Sequence, residues 1–158
     1  MKKVDTILLD TLGRKAGEAV RLRTNLNFHE SYDAPVQRMI NAMEPGTYLQ
    51  PHKHENPDKT ESFFILRGRL LVVEFDDEGR ITDHAILDHD TGMYGVELPP
   101  RTWHTVVCLE PGSAAWEVKD GPYIPITDKN FAPWAPKEGD AGTTEYIRDI
   151  LRQLGIHL

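Results

Sequence analysis

His52, His54 and Glu61, in the stretch "PGTYLQPHKHENPDKTESFFILRG", have the types and spacing that could hold a metal ion. Successive side chains of a strand point to opposite faces, so two histidines one residue apart share a face and their imidazoles can converge, while Lys53 faces away. "ENPDKT" then makes a loop with turn chemistry at Asn56 and Pro57, and Glu61 opens a second strand whose same-face neighbours are Phe63 and Ile65. That face is read as the interior. A carboxylate at the mouth of an apolar interior is costly unless paired or bound to a cation, which is a physical reason for Glu61 to be a ligand. A fourth ligand must come from a distant strand; His104 in "LPPRTWHTVVCL" is the candidate, because Val106 and Cys108 share its parity and read as core. Three imidazoles and one carboxylate suit one divalent transition metal, Fe, Mn, Ni or Zn, and leave two positions open on an octahedral ion.

These residues need strands to position them, and the chain supplies them. "APVQRMINAM", "SFFILRG" and "RLLVVEF" favour a pleated surface, "DDEG" is a hairpin turn into "RITDHAIL", and "MYGVEL", "TWHTVVCL" and "SAAWEVK" are further short strands between Gly and Pro punctuation. The spacing predicts an all-β sandwich or barrel. Before it, apolar Ile7, Leu8, Leu12, Ala16 and Val20, with Thr11, predict a helix from Val4 to Val20, with Gly13 a weak spot. After it, "DGPYIPITDKNFAPWAPKEGDAG" reads as an ordered loop wrapped over the barrel. A last helix is predicted from Thr143 to Leu154, capped by Thr143 or Thr144, striped by Tyr146, Ile147, Ile150, Leu151 and Leu154, and ended by Gly155. The expected organisation is one domain: an N-terminal helical segment 1–27, a barrel 28–120, and a C-terminal loop and helix 121–158.

At 158 residues and 39% apolar, the chain is the size of one globular domain. A formal charge of −7, with the 18 Lys and Arg scattered, argues against a nucleic-acid partner and leaves a small-molecule ligand as the expectation. Cys108 is the sole cysteine, so no internal disulfide can form. Asp5 and Asp10 interrupt what would be a signal-peptide core, and no apolar run approaches the roughly 18 to 20 residues of a membrane span. A cytoplasmic protein with no membrane partner is expected. An exposed barrel edge makes a symmetric homodimer plausible.

Other residues invite a catalytic role. His29 could line the site mouth, though a hydrogen-bonded structural histidine is the favoured reading. Glu117 and Lys119 share a strand parity, so they either both point into the barrel as an acid/base pair or both point out while Trp116 and Val118 fill the core. The apolar pair favours the outward reading; Ala115, with the parity of Glu117, keeps the inward one open. Tyr94 and Trp103 read as packing, His84 and His89 as solvent-exposed, and Cys108 as a small buried core residue with no base paired to it.

The spacing extends beyond the ligands. Gly46 precedes His52 with five residues between, Glu61 precedes Gly68 with six between, and "PPRTWH" follows. Together these resemble the two motifs of the cupin superfamily, with Pro99 and His104 in place, Arg101 where glycine is expected, Cys108 where asparagine is expected, and a longer gap between His54 and Glu61. "FHESYDAPVQRMINAMEPGTYLQPHKH", "ESFFILRGRLLVVEFDDEGRI", "WEVKDGPY" and "FAPWAP" narrow the resemblance to the WbuC-type family of small cupin-fold metalloproteins, over about Phe28 to Pro136. The resemblance implies a cupin double-stranded β-helix, or jelly roll, with short helices at both ends and one metal on His52, His54, Glu61 and His104. It also implies a link to surface-polysaccharide genes, known for some members. The expected function is a metal-dependent isomerase or epimerase acting on a small carbohydrate-like substrate, the ion polarising a carbonyl. The alternatives are an Fe(II)-dependent dioxygenase and a non-catalytic, metal-anchored ligand-binding or sensory module, and the fold does not choose among them.

Overall fold

The computed structural model describes residues 1–124 and 129–157. Helix α1 (Thr6–Glu18) is followed by strands β1 (Arg23–Asn27), β2 (Val36–Met43), β3 (His52–Lys53), β4 (Glu61–Arg67), β5 (Arg69–Phe75), β6 (Ile81–Asp88), β7 (Gly95–Leu98), β8 (Trp103–Cys108), β9 (Ser113–Asp120) and the short β10 (Asn130–Phe131), then by helix α2 (Thr143–Gln153). The strands form two five-stranded sheets, ordered β1-β2-β9-β4-β7 and β10-β3-β8-β5-β6. Within them β2 pairs with β9, β3 with β8, β4 with β7 and β5 with β6, all antiparallel. First pairs with last, working inward, as when one long hairpin is rolled into a barrel. This is the double-stranded β-helix, or jelly roll, of cupins.

The strand signals succeed because each sheet has an apolar inner face. Phe63, Ile65, Leu70, Val72, Val106, Cys108 and Ala115 meet between the sheets with Met43, Leu87 and Leu98. Toward one end the same inner faces turn polar: β4 runs from Ile65 through Phe63 to Glu61, β8 from Cys108 through Val106 to His104, and β9 from Ala115 to Glu117 and Lys119. The barrel is therefore an apolar plug at one end and a polar chamber at the other.

Each sheet's outer face is covered by a helix. Leu9, Leu12 and Ala16 of α1 pack on Ile40, Ala42 and Ala114 of the first sheet. Ile150 and Leu151 of α2 pack with Leu71, Val73 and Val107 of the second. Strand β8 is buried at all six positions for this reason. Asp5 caps α1, its side chain accepting from the Leu8 N–H at 3.0 Å.

Several expectations change. The α1 stripe is rotated: Ile7 and Val20 are exposed while Leu9 and Gly13 are buried. Gly13 is a contact residue, since a Cβ there would lie 3.2 Å from Arg67 Nη2 and 3.7 Å from Gly112 Cα. Residues 23–27, expected at the end of the helical segment, form the outer strand of the first sheet, because β1 hydrogen-bonds along β2. Helix α2 is capped by neither threonine; Gly142 holds the cap position without a side-chain bond. Residues 125–128 of the expected wrapping loop lie outside the described residues.

Candidate metal centre

Strand pairing gathers the cluster. His52 on β3 stands opposite His104 on β8, His54 follows β3, and Glu61 opens β4 in the other sheet. All four side chains are buried, and one ligand atom from each lies within 4.8 Å of the others. Glu61 Oε2 is 3.0 Å from His104 Nε2 and 3.3 Å from His54 Nε2. His104 Nδ1 is 2.9 Å from the Thr102 carbonyl and His52 Nδ1 is 3.1 Å from the Gln50 carbonyl. A carbonyl only accepts, so each Nδ1 carries a proton and each Nε2 is the ring nitrogen turned toward the cluster.

The electrostatics suit a cation. Burial by itself would raise the Glu61 carboxyl, but the His104 and His54 imidazoles outweigh it and hold it well below the usual carboxylate range. Burial, then the charges of Lys129 and His104, push His52 well below its ordinary value, so its imidazole is neutral and able to ligate. His52 Nε2 and His104 Nε2 are buried with no hydrogen-bond partner among the described residues. Orphaned nitrogens facing an ionised carboxylate are expensive unless a cation joins them. The donor set, nitrogen and oxygen with no sulfur, fits a divalent first-row ion.

His52, Glu61 and His104 of the cluster form one wall of a cavity of about 440 Å³. Glu117 and Lys119 line it too and are buried, which overturns the favoured outward reading. The reason lies on the other face of β9, where Trp116 is covered by Phe28, ring centroids 4.8 Å apart, and by α1. Asn41 Nδ2 donates to Glu117 Oε2, Lys119 Nζ is 3.9 Å from Glu117 Oε1, and Lys119 stands opposite Glu61 in the β4–β9 register. Burial, then the nearby charge of Glu61, push the Glu117 carboxyl up to about 8.

His29 satisfies both of its readings: it is hydrogen-bonded to the Arg38 backbone and it lines the cavity. Trp103 is buried in the outer core of the second sheet, its Nε1 donating to Asp77. Cys108 is buried, its Sγ 3.1 Å from the Glu110 carbonyl and 3.3 Å from the Met43 carbonyl. His84 and His89 are exposed. Tyr94 does not pack as expected; it is exposed, edge-on to His89. Gln37, Asn41, Arg23 and Tyr32 line the cavity although nothing in their local sequence singles them out. The one available signal was parity, since Gln37, Met39 and Asn41 alternate with Arg38 and Ile40 on β2. At the rim, Glu138 takes Arg21 Nε at 2.6 Å and Arg23 Nη2 at 2.7 Å, tying β1 to the C-terminal segment.

A family model described as "Domain of unknown function (DUF6016)" matches residues 4–87, more than half of the chain. The chain belongs to the DUF6016 family. The match takes in His52, His54 and Glu61 of this DUF6016 protein and stops before His104. No curated protein matches the chain. Among solved structures, it is similar to the capsular polysaccharide assembling protein CapF of Staphylococcus aureus, with 18% identity, a TM-score of 0.57, and 68% of this chain but 28% of that one covered. The chain thus spans little more than a quarter of CapF. It is also similar to L-ribose isomerase of Cellulomonas parahominis, with 16% identity, a TM-score of 0.54, and 74% and 72% covered. A third likeness is to TT1209 of Thermus thermophilus, with 20% identity, a TM-score of 0.51, and 76% and 97% covered. These likenesses are of fold. Among the described residues no helix is long and apolar enough to cross a membrane.

Proposed function

We propose that the protein is a metal-dependent enzyme that isomerises or epimerises a small carbohydrate-like substrate. One observation carries the reading: His52, Glu61 and His104 of the buried three-histidine, one-glutamate set line one cavity together with a second buried charged pair, Glu117 and Lys119. A cluster that served only to hold the fold together would need no second ionisable pair beside it.

In this proposal His52, His54, Glu61 and His104 hold Fe, Mn, Ni or Zn. When bound, the ion supplies Lewis-acid polarisation of a substrate carbonyl and hydroxyl pair. Glu117, steadied by Asn41, takes and returns the proton at the carbon next to that carbonyl, and Lys119 balances charge on the neighbouring oxygen. Asn25, Asn27 and Asn41 give the walls amides, which both donate and accept and so match a polyhydroxylated ligand. The resemblance to the WbuC-type family supports a place in surface-polysaccharide metabolism, and the names of CapF and of L-ribose isomerase accord with that class of substrate. A cytoplasmic location and a symmetric dimer through an exposed sheet edge belong to the same proposal.

The test is metal analysis of the protein as purified, followed by NMR assays of sugar interconversion over pentoses, hexoses and uronic acids before and after chelation. Turnover should vanish with the chelator and return with one metal. Equal turnover in metal-free protein rejects the reading. Saturable sugar binding without product points instead to a ligand-binding module, and substrate-dependent oxygen uptake with Fe(II) to an oxygenase.

A further inference from the structure

His29 precedes β2 in the chain and packs against it, on the side of the cavity across β2 and β9 from Glu61. The residue is 8% exposed. The Arg38 backbone N–H donates to His29 Nδ1 at 3.1 Å, and the Arg38 carbonyl lies 3.0 Å from the same nitrogen. That carbonyl already accepts from the Phe28 N–H at 2.8 Å. An amide N–H has a single bond to give and needs an acceptor when buried, whereas a carbonyl satisfied once is content. Nδ1 is therefore the acceptor, and the ring proton sits on Nε2.

Nε2 is buried and has no hydrogen-bond partner among the described residues. His29 lines the cavity, and Nε2 is the ring nitrogen that the β2 backbone does not engage. The wall around it is built firmly. Tyr32 and Tyr123 contact each other with ring centroids 5.1 Å apart, the Tyr123 N–H donates to the Tyr32 carbonyl at 2.8 Å, and Gln37 Nε2 donates to the Tyr32 and Ala34 carbonyls at 3.1 and 2.8 Å. The Gln37 amide is thus engaged by the wall, while the imidazole keeps a donor in reserve. The Arg38 bond accounts for an acceptor at Nδ1 but leaves the donor at Nε2 without a structural role.

We propose that His29 is a ligand-recognising residue, whose Nε2–H donates to an oxygen of the bound molecule, placed by the Arg38 bond before the ligand arrives. The chemical class of that oxygen, a sugar hydroxyl or carbonyl, rests on the carbohydrate reading above; the tautomer and the orientation do not.

Two substitutions separate the two ends of the ring. In His29→Asn the side-chain oxygen replaces Nδ1 as acceptor for Arg38 and the Nε2 donor is lost; in His29→Gln the longer amide restores a donor near the Nε2 position. The experiment combines long-range proton–nitrogen NMR of the His29 ring in the full chain with calorimetric titration of free aldopentoses and aldohexoses into the metal-loaded protein and both variants, with circular dichroism to confirm folding. The Nε2–H tautomer, about tenfold weaker sugar binding in His29→Asn and partial recovery in His29→Gln support the proposal. An Nδ1–H tautomer, or equal affinity in the unchanged protein and a folded His29→Asn, overturns it while leaving the carbohydrate reading intact. Failure of the unchanged protein to bind any sugar overturns the carbohydrate reading and, with it, the partner assigned to His29. If neither variant folds, the tautomer decides alone.

Discussion

The backbone N–H of Arg101 donates to the carbonyl of His54 at 3.0 Å, so the turn that presents His104 is bonded to the strand end that presents His54. Arg101 holds φ +67 there, in the left-handed region. Glycine enters that region freely, whereas for other residues it costs about 1–2 kcal/mol. Arginine thus stands where the cupin motif has glycine while keeping the backbone glycine would adopt. Its guanidinium meets Asp58 at 2.9 Å, an exposed pair that offsets little of the strain.

Replacing Arg101 by glycine should therefore leave metal content unchanged and stability within about 1 kcal/mol. Arg101→Val, with a β-branched side chain at positive φ, should cost about 2 kcal/mol or more and loosen metal binding. Denaturant melts with metal analysis check both. A glycine variant that loses its metal would show that the guanidinium, and not the turn, supports the site.

Gly68, the glycine that closes the first motif, holds φ +72, and a Cβ built there would lie 2.3 Å from Ser113 Oγ. Ser113 cannot yield easily, because its hydroxyl donates to the Glu110 carbonyl at 2.7 Å and accepts from the Arg69 N–H at 3.0 Å. Gly68→Ala should lose about 2–4 kcal/mol of stability by chemical denaturation. A loss under about 0.5 kcal/mol, the range of a neutral surface change, would show that the contact relaxes.

The two halves of the cavity should separate under mutation. His54→Ala is expected to lose the metal and all metal-dependent turnover. Glu117→Gln, which keeps the shape and the Asn41 neighbour, is expected to keep the metal and lose about 10²- to 10⁴-fold in turnover. Metal-loaded Glu117→Gln with full activity would remove Glu117 from the chemistry.

The rim clamp carries a pH signature. Burial alone would raise the Glu138 carboxyl, but the bonds from Arg21 and Arg23 outweigh it and hold it below its ordinary value. The folded value lies below the unfolded one, so the stabilisation is complete above the unfolded value of about 4.3 and fades as pH falls through the folded one. With Arg21 62% and Glu138 38% exposed, it amounts to about 1 kcal/mol or less. Thermal melts of the unchanged protein and Glu138→Gln should differ near neutrality and converge below about pH 4. A gap that persists near pH 2 would place the origin elsewhere.

Much of this molecule is local. The parity of His52 and His54, the apolar alternation of β4 and β5, the turn at Asp76–Gly79 and the stripe of α2 follow from neighbours along the chain, because strand and helix periods are properties of a few residues. The motif glycines are local too: Gly46 and Gly68 both need positive φ.

What the chain alone could not decide is which face of a doubly covered element looks inward. On β9 Trp116 and Val118 look as buried as Ala115, and only the docking of α1 over Trp116 turns Glu117 and Lys119 into the cavity. The α1 stripe settles on Leu9, Leu12 and Ala16 because Ile40, Ala42 and Ala114 offer a matching surface, and β1 is a strand because β2 had a free edge beside it. Sequence determined most of the strands, the histidines and glutamate of the buried cluster and the architecture they imply, since those rest on short-range geometry. Tertiary structure decided the orientation of the buried charges and the donor left over on His29, since burial on both faces erases the alternation from which orientation is read.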